Sequence, residues 1–538
     1  MQHVIHHPSL NADLEGLETL YENSKVIHYR GIPYAKIPAR FERATLIDEW
    51  GGERLDCTKF GVPKNLKEDD ETTFPQDEFN CLNINVSVPA GTKNSNLLPV
   101  LLWVHGGSQM VSYPPLAHRA ADVTPLIVKS ATLGKPIIVV TFNYRLNIFH
   151  FGDGGEVNLA LKDQRLAIQW VVNHVEGFGG DKNNITLGGE SAGAIFTHAH
   201  LCTGVPVRRG ILQSGSLYAS PPMPRDIGNA WIKRLYWKDH TDSALSIRTE
   251  SIENLLQQLR DHNINTTFLQ EEPSLQGWDK RGVQVEGLLI GDVEYETVIW
   301  NNGIGEFTAE EITKIFNSDS EHGEQLRELY GIYPDRQTSS KSGALDFIND
   351  VRYVLPNEGM CQRRRQNNLK TYQYLMDEPN PWHSSSRAHH AVDLIFLFGG
   401  YDISFNSSAA KVSEKMQEKW ISFIYGEEPW DTAKRFAFGP YGKCGEIEDE
   451  EFAARRRARC FEVLKEIENK KLLELTTHTP TDIKAFRGID LPNQGQFHFQ
   501  DFWSHKKLPA AQCASCPPLY KSVTLPLLSA APKIAATA

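Results

Sequence analysis

One short segment constrains this chain more than any other. In Ile185-Thr186-Leu187-Gly188-Gly189-Glu190-Ser191-Ala192-Gly193-Ala194-Ile195-Phe196, a β-rich run stops at a glycine pair and a helix-forming run begins directly after a single serine. The centre of it, Gly189-Glu190-Ser191-Ala192-Gly193, has the form G-x-S-x-G, which sets a serine on a tight turn between a strand and a helix. Such a turn holds the serine backbone in a strained conformation, and side chains at the flanking positions would meet the neighbouring strand and helix. The first amides and the dipole of the following helix favour a developing oxyanion. A chain with this segment has reason to present Ser191 as a nucleophile.

The surroundings agree with such a turn. Residues 100–104, 137–142, 185–187 and 211–213 are short, apolar and β-rich, and residues 159–175 carry Leu161, Leu166, Ile168, Trp170 and Val171 at helical spacing. Continuous apolar strands alternating with helices imply an α/β fold, with a large, mostly parallel central sheet covered by helices on both faces. Longer helical patterns follow at 410–423 and 450–467. The reading places one domain at 1–507 with helical insertions, and a loosely ordered C-terminal tail at 508–538, rich in Pro, Ala and Ser. The charged runs at 67–71, 446–451 and 455–459 read as solvated loops or helix faces.

Composition narrows the function. The net charge is −11, from 56 basic and 67 acidic residues, the opposite of a nucleic-acid binder's balance. The longest apolar stretches have roughly eight residues, against about 20 for a membrane-spanning helix. The N-terminus lacks the basic and apolar regions of a signal peptide, so the expected compartment is the cytoplasm. Eight cysteines in 538 residues are too sparse for a disulfide scaffold. Cys513-Ala514-Ser515-Cys516 has the spacing of half a zinc site, but no second pair accompanies it. No phosphate-cradling loop or dinucleotide fingerprint follows the strands. Neither cofactor nor metal is expected.

A serine nucleophile needs oxyanion donors. Trp103-Val104-His105-Gly106-Gly107-Ser108 closes an early strand, and its glycines let the backbone approach a substrate closely. Ser108 stands where a third glycine is common, but the donor required is a backbone amide. The backbone amides of Gly107, Ser108 and Ala192 are the candidate donors, the alternative being that Gly106-Gly107 is only a turn.

Taken in order, further segments resemble the type-B carboxylesterase/cholinesterase-like family of α/β-hydrolases. They are Arg30-Gly31-Ile32-Pro33-Tyr34-Ala35, Pro38-Ala39-Arg40-Phe41, Cys81-Leu82-Asn83-Ile84-Asn85, Asn143-Tyr144-Arg145-Leu146, Asp163-Gln164, Phe178-Gly179-Gly180-Asp181 and Gln213-Ser214-Gly215-Ser216. The resemblance spans roughly residues 5–505, and its local flavour is similar to intracellular fungal members. The resemblance implies an α/β-hydrolase fold and a Ser-Glu-His triad. The family's base sits in a His-x-x-[Asp/Glu]-[Leu/Ile] segment before an aromatic run. In Arg387-Ala388-His389-His390-Ala391-Val392-Asp393-Leu394 that register selects His390, with His389 and His383 as alternatives. The family's acid follows an Ile/Leu-Gly pair by about five residues, which in Ile290-Gly291-Asp292-Val293-Glu294-Tyr295-Glu296 selects Glu296 over Glu294 and Asp292. Thr297 departs mildly from the small residue usual there.

The same resemblance bears on substrate. Glu190 matches the acidic residue the family often carries beside its nucleophile. Cholinesterases hold a choline cation on a tryptophan in a disulfide-closed loop, and the matching stretch, Gly61 to Cys81, contains no tryptophan. Cys57 lies early for the usual bridge, so a Cys57–Cys81 pairing stays open. A choline ester is a poor fit. Tyr218, Pro221 and Pro222 follow Gln213-Ser214-Gly215-Ser216 and are candidates for the acyl side of the pocket, while Ser214 fits either a supporting or a structural part. The expected activity is hydrolysis of a small-molecule, apolar carboxylic ester through an acyl-enzyme, with no cofactor. Acyl transfer, or lactone opening or closing on a secondary metabolite, would use the same residues. A non-catalytic binding protein of cholinesterase type is the reading from another class. No oligomeric state is read from the sequence.

Overall fold

Residues whose strands lack polar interruption are buried on both faces, and the structure, a computed structural model, follows that rule from its centre outward. It describes residues 2–61, 77–236, 247–262, 264 and 266–478. The strands are β1 (Gln2–His7), β2 (Ala12–Tyr21), β3 (Ser24–Pro33), β4 (Ala35–Lys36), β5 (Thr45–Leu46), β6 (Glu53–Cys57), β7 (Asn83–Pro89), β8 (Leu98–Val104) and β9 (Ile138–Phe142). After them come β10 (Gly180–Glu190), β11 (Arg209–Gln213), β12 (Gly287–Val293), β13 (Lys370–Met376), β14 (Arg435–Phe438) and β15 (Cys444–Ile447).

All but β4 and β5 form a 13-stranded sheet in the order β1-β2-β3-β7-β9-β8-β10-β11-β12-β13-β14-β15, with β6 beside β2. From β9 to β14 every pairing is parallel. Apart from the parallel β2–β6 pair, the flanks are antiparallel, through β1–β2–β3–β7–β9 at one end and β14–β15 at the other. Those flanks are built from hairpins in the first 90 residues and near residue 440, where the sequence reading named no strand.

Side-chain alternation divides the core. Val100, Leu102 and Val104 of β8 pack with the helices Leu159–His174 and Ala192–Cys202. Leu101 and Trp103 face the other way, toward the helices Thr124–Thr132 and Ser407–Tyr425. Period-2 strands therefore feed two apolar layers, and each such buried Val, Leu or Ile contributes on the order of 1.5–3 kcal/mol. The helices expected at 159–175 and 410–423 lie within these elements, the first continuing into a 3₁₀ turn at Val175–Phe178. No described helix is long and apolar enough to cross a membrane.

Two expectations need correction. The helical pattern at 450–467 is broken into Asp449–Arg455, a 3₁₀ turn Ala458–Cys460 and Phe461–Glu466, with Arg457 in the left-handed region at φ 50. The charged run at 455–459 is not a solvated face. Arg456 is 1% exposed, its Nε 2.5 Å from Asp292 Oδ1 and its Nη1 2.8 Å from Asp377 Oδ1. Arg457 pairs with Asp350 at 2.6 Å, and Arg455 with Asp377 at 2.7 Å. Turning neighbouring arginines inward to separate acids is incompatible with one straight helix, which accounts for both corrections. The run at 446–451 is largely exposed, as expected. The run at 67–71, the tail 508–538, the last residues of the 1–507 assignment, and Cys513 and Cys516 lie outside the described residues.

Arg456→Met removes a buried cation; Asp377 keeps Arg455, but among the described residues the buried Asp292 is left with only the neutral Asn357 amide at 3.2 Å. The expected loss of stability is about 3–5 kcal/mol, read from denaturant unfolding at pH 7.5. Adding Asp292→Asn to that variant should recover part of the loss; an unchanged unfolding midpoint in Arg456→Met would overturn the assignment.

Candidate active site

Everything that bears on Ser191 sits at the carboxyl ends of the parallel strands, where open α/β sheets place their ligands. Ser191 leaves β10 with φ 56 and ψ −125, a region a non-glycine residue enters only when its surroundings impose it. They do. Ser191 N–H donates to Gln213 O at 3.0 Å, and the helix Ala192–Cys202 starts at once. A Cβ on Gly193 would lie 2.1 Å from Val104 O, and one on Gly215 would lie 2.4 Å from Ser191 O. The glycines of the motif are therefore close-approach positions between β8, β10 and the turn.

The loop after β13 carries His390. Its backbone N–H donates to Tyr295 O at 3.1 Å, tying it to the loop after β12. His390 Nε2 lies 2.8 Å from Ser191 Oγ, and His390 Nδ1 lies 2.5 Å from Glu296 Oε2. An ionised carboxylate only accepts, so Nδ1 carries the proton, and in the neutral ring Nε2 must accept from the serine hydroxyl. Glu296 is 0% exposed; its Oε1 accepts from Val293 N–H at 2.9 Å, and its own N–H donates to Asn349 Oδ1 at 3.0 Å.

The alternatives are engaged elsewhere. Asp292 is held by Arg456 and by Asn357 Nδ2 at 3.2 Å, and Glu294 by Arg387 at 2.9 Å. His389 Nε2 is 2.9 Å from Asn380 Nδ2 and its Nδ1 is 2.9 Å from His390 O. Cys57 and Cys81 are both free thiols.

Acidic groups crowd the imidazole. Glu190, 1% exposed, has Oε1 3.3 Å from His390 Nε2, within ion-pair distance, yet neither carboxylate oxygen is aligned for a hydrogen bond. Burial pushes its pKa well above the ordinary carboxylate value. Asp393 is pushed up to about 6 by burial, against a 2.9 Å hydrogen bond from Gln213 Nε2, itself fixed by Trp420. Burial on its own would depress His390, but the neighbouring carboxyl of Glu190 and the bond to Glu296 outweigh it and hold the ring above the ordinary histidine value, so the neutral form that takes the serine proton gains population as pH rises.

The loop after β8 turns through positive φ at Gly107, Ser108 and Gln109, with values of 110, 55 and 63. His105 stacks on Tyr144 at 4.3 Å, and the Tyr144 hydroxyl donates to His105 O at 2.6 Å, which clamps the loop's root. The backbone N–H groups of Gly107, Ser108 and Ala192 have no hydrogen-bond acceptor among the described residues. Tyr218 packs against Trp278 at 4.7 Å and accepts from Arg363 at 2.6 Å, while Pro221 is half-buried. Ser214 Oγ is buried with no partner among the described residues. No described group of three or more His, Cys, Asp or Glu is arranged to hold a metal.

Sequence reasoning missed Asn349 and Tyr353. Asn349 immediately precedes a π-helical turn, Asp350–Val354, that interrupts a longer helical stretch, and Tyr353 on that turn meets the His390 ring edge-on at 6.1 Å. Such turns gather at functional sites, but nothing local in the sequence announces one.

A family model described as "Carboxylesterase family" matches residues 5–466. The chain is 30% identical to Lipase 3 of Yarrowia lipolytica, over 81% of this chain and 91% of that protein. It is 27% identical to the para-nitrobenzyl esterase of Bacillus subtilis, over 74% of this chain and 86% of the relative. A crystal structure of a carboxylesterase from Geobacillus stearothermophilus superposes with a TM-score of 0.67 at 23% identity, covering 85% of this chain and 99% of that one.

Proposed function

Because this chain belongs to the carboxylesterase family of α/β-hydrolases, we propose that its serine ester hydrolase activity runs through Ser191, His390 and Glu296, with the amides of Gly107, Ser108 and Ala192 as oxyanion donors. The observation that carries this reading is the unbroken chain Ser191 Oγ–His390 Nε2 at 2.8 Å and His390 Nδ1–Glu296 Oε2 at 2.5 Å. Ser191 Oγ attacks the ester carbonyl as its proton passes to His390 Nε2. Glu296 keeps the ring in the accepting tautomer and stabilises the imidazolium. The tetrahedral oxyanion draws on amides that have no other acceptor among the described residues. His390 then protonates the leaving alkoxide, and water, deprotonated by the same ring, releases the acid from Ser191.

The substrate is a small-molecule carboxylic ester, and an apolar one fits best. The relatives carry the names lipase and esterase, and no tryptophan is available between Gly61 and Cys81 for a choline cation. Tyr218 and Pro221, beside the Gln213-Ser214-Gly215-Ser216 segment, are proposed for the acyl side, and Glu190 for tuning His390. A p-nitrophenyl ester series of increasing acyl length tests the reading. The expected result is turnover of order 1–10³ per second on the best ester, with a maximum at one chain length. Product appearing only when an alcohol is added would overturn hydrolysis in favour of acyl transfer.

A further inference from the structure

The hydrogen-bond logic that fixes the proton on His390 occurs a second time. Ser9 sits in the turn between β1 and β2, His174 ends the helix Leu159–His174, and Asp48 lies between β5 and β6. Ser9 Oγ is 2.8 Å from His174 Nδ1, and His174 Nε2 is 2.9 Å from Asp48 Oδ1. That helix returns from the carboxyl to the amino ends of the parallel strands, so this cluster lies at the end of the sheet opposite Ser191. Asp48 also accepts from Asn173 Nδ2 at 2.9 Å, which aims its carboxylate at the ring.

The proton positions follow from donor chemistry. The Asp48 carboxylate accepts only, so His174 Nε2 bears hydrogen, and in the neutral ring Nδ1 must accept from Ser9. The other acceptor within reach of that hydroxyl, Asn173 O, is farther away at 3.4 Å. His174 is 2% exposed, and burial keeps its pKa below the ordinary value despite Asp48, so it is neutral at pH 7. The turn itself is pinned by His7. His7 Nε2 donates to His174 O at 2.9 Å, which leaves its Nδ1 to accept Leu10 N–H at 3.3 Å. A Cβ on Gly177 would lie 2.1 Å from the His7 ring, so the pin depends on that glycine. Ser9 is exposed.

We propose that Ser9, with His174 as base and Asp48 as its orienting acid, is a second nucleophilic serine and a site of covalent acylation by activated esters. Ser9 Oγ bonds to the carbonyl carbon while its proton passes to His174 Nδ1. The bond from that carbon to the aryl oxygen breaks, the aryloxide departs with the electron pair, and the imidazolium returns its proton to solvent.

The test uses full-length Ser191→Ala protein, so the proposed triad cannot consume the probe, with excess p-nitrophenyl acetate and peptide mass spectrometry. The expected result is acetyl on Ser9, formed at a rate level between pH 8 and pH 7. Adding His174→Gln should slow it on the order of 100-fold. Adding Asp48→Asn, an exposed change that lets the ring carry its proton on Nδ1, should slow it at least tenfold and decides the matter where His174→Gln fails to fold. Ser9 left unmodified while lysines are acetylated, or labelled at the same rate in the Asp48→Asn protein, would overturn the proposal.

Discussion

Replacing Ser191 by alanine is expected to lower kcat on a p-nitrophenyl ester by about 10⁵–10⁶-fold while leaving the unfolding midpoint almost unmoved. The two halves of that expectation come from the same geometry. Among the described residues the hydroxyl has one partner, His390 Nε2 at 2.8 Å, and the strained φ of 56 is imposed by the backbone packing of the turn, which alanine keeps. Residual activity would come from binding and from the oxyanion amides. Glu296→Gln is the companion. A glutamine amide can donate to His390 Nδ1, which moves the ring proton to Nε2 and removes the acceptor for Ser191; the expected loss is on the order of 10⁴-fold. Glu294→Gln, which disturbs only the pair with Arg387, should stay within a few-fold of wild type. Activity within tenfold of wild type in Ser191→Ala would end the assignment of this serine, and an equal loss in Glu294→Gln would end that of Glu296.

The contrast between Glu296 and Arg456 measures how much of this molecule is legible in its sequence. Ser191 is announced by local necessity: the glycines around it stand where a Cβ would strike Val104 or Gly193, so the signal is compressed into five residues. The parallel strands β8 to β11 are equally visible, because burial on both faces demands unbroken apolar runs. Glu296 and His390 have no such local signature, and they emerged only from the family's register. Asn349, which holds the Glu296 backbone, had no signal because its role depends on a π-turn and on contact across 53 residues of chain. Arg456 was misread for a related reason. A charged run looks the same whether its partners are water or buried acids, and Asp292 and Asp377 are distant in sequence. Local necessity is readable; long-range pairing of polar groups is not.

Long-range polar pairing also sets the response to acid. Of the seven described histidines at most 3% exposed, six are held neutral by burial far below the ordinary value: His28, His150, His198 and His200 are lowered to about 3, His7 and His105 to about 4. Their hydrogen-bond partners are uncharged. His28 meets Ser87 Oγ at 2.8 Å, His150 meets Thr267 Oγ1 at 2.7 Å, and His200 meets Gln164 Oε1 at 2.8 Å. The unfolded chain protonates each near pH 6.5, whereas the folded one refuses the proton until pH 3–4. Below pH 6.5 the unfolded state therefore binds more protons, and stability falls as pH falls. At pH 5 each group costs about 2 kcal/mol, and six together cost on the order of 10 kcal/mol, comparable with the whole stability of a typical protein. Asp350 and Asp393 act in the opposite sense, because burial raises both to about 6 and they take up protons first in the folded state. Each returns only about 1 kcal/mol at pH 5, too little to offset the histidines. The melting temperature should therefore change little between pH 8 and pH 7 and be about 8 °C lower at pH 5. His200→Gln, which removes one of the six titrating groups, should narrow that difference by about 2 kcal/mol in unfolding free energy. A melting temperature unchanged from pH 7.5 to pH 5 would mean that these histidines are not held neutral by burial, and the packing around β3, the short helix Asn147–Phe151 and the helix Ala192–Cys202 would have to be redrawn.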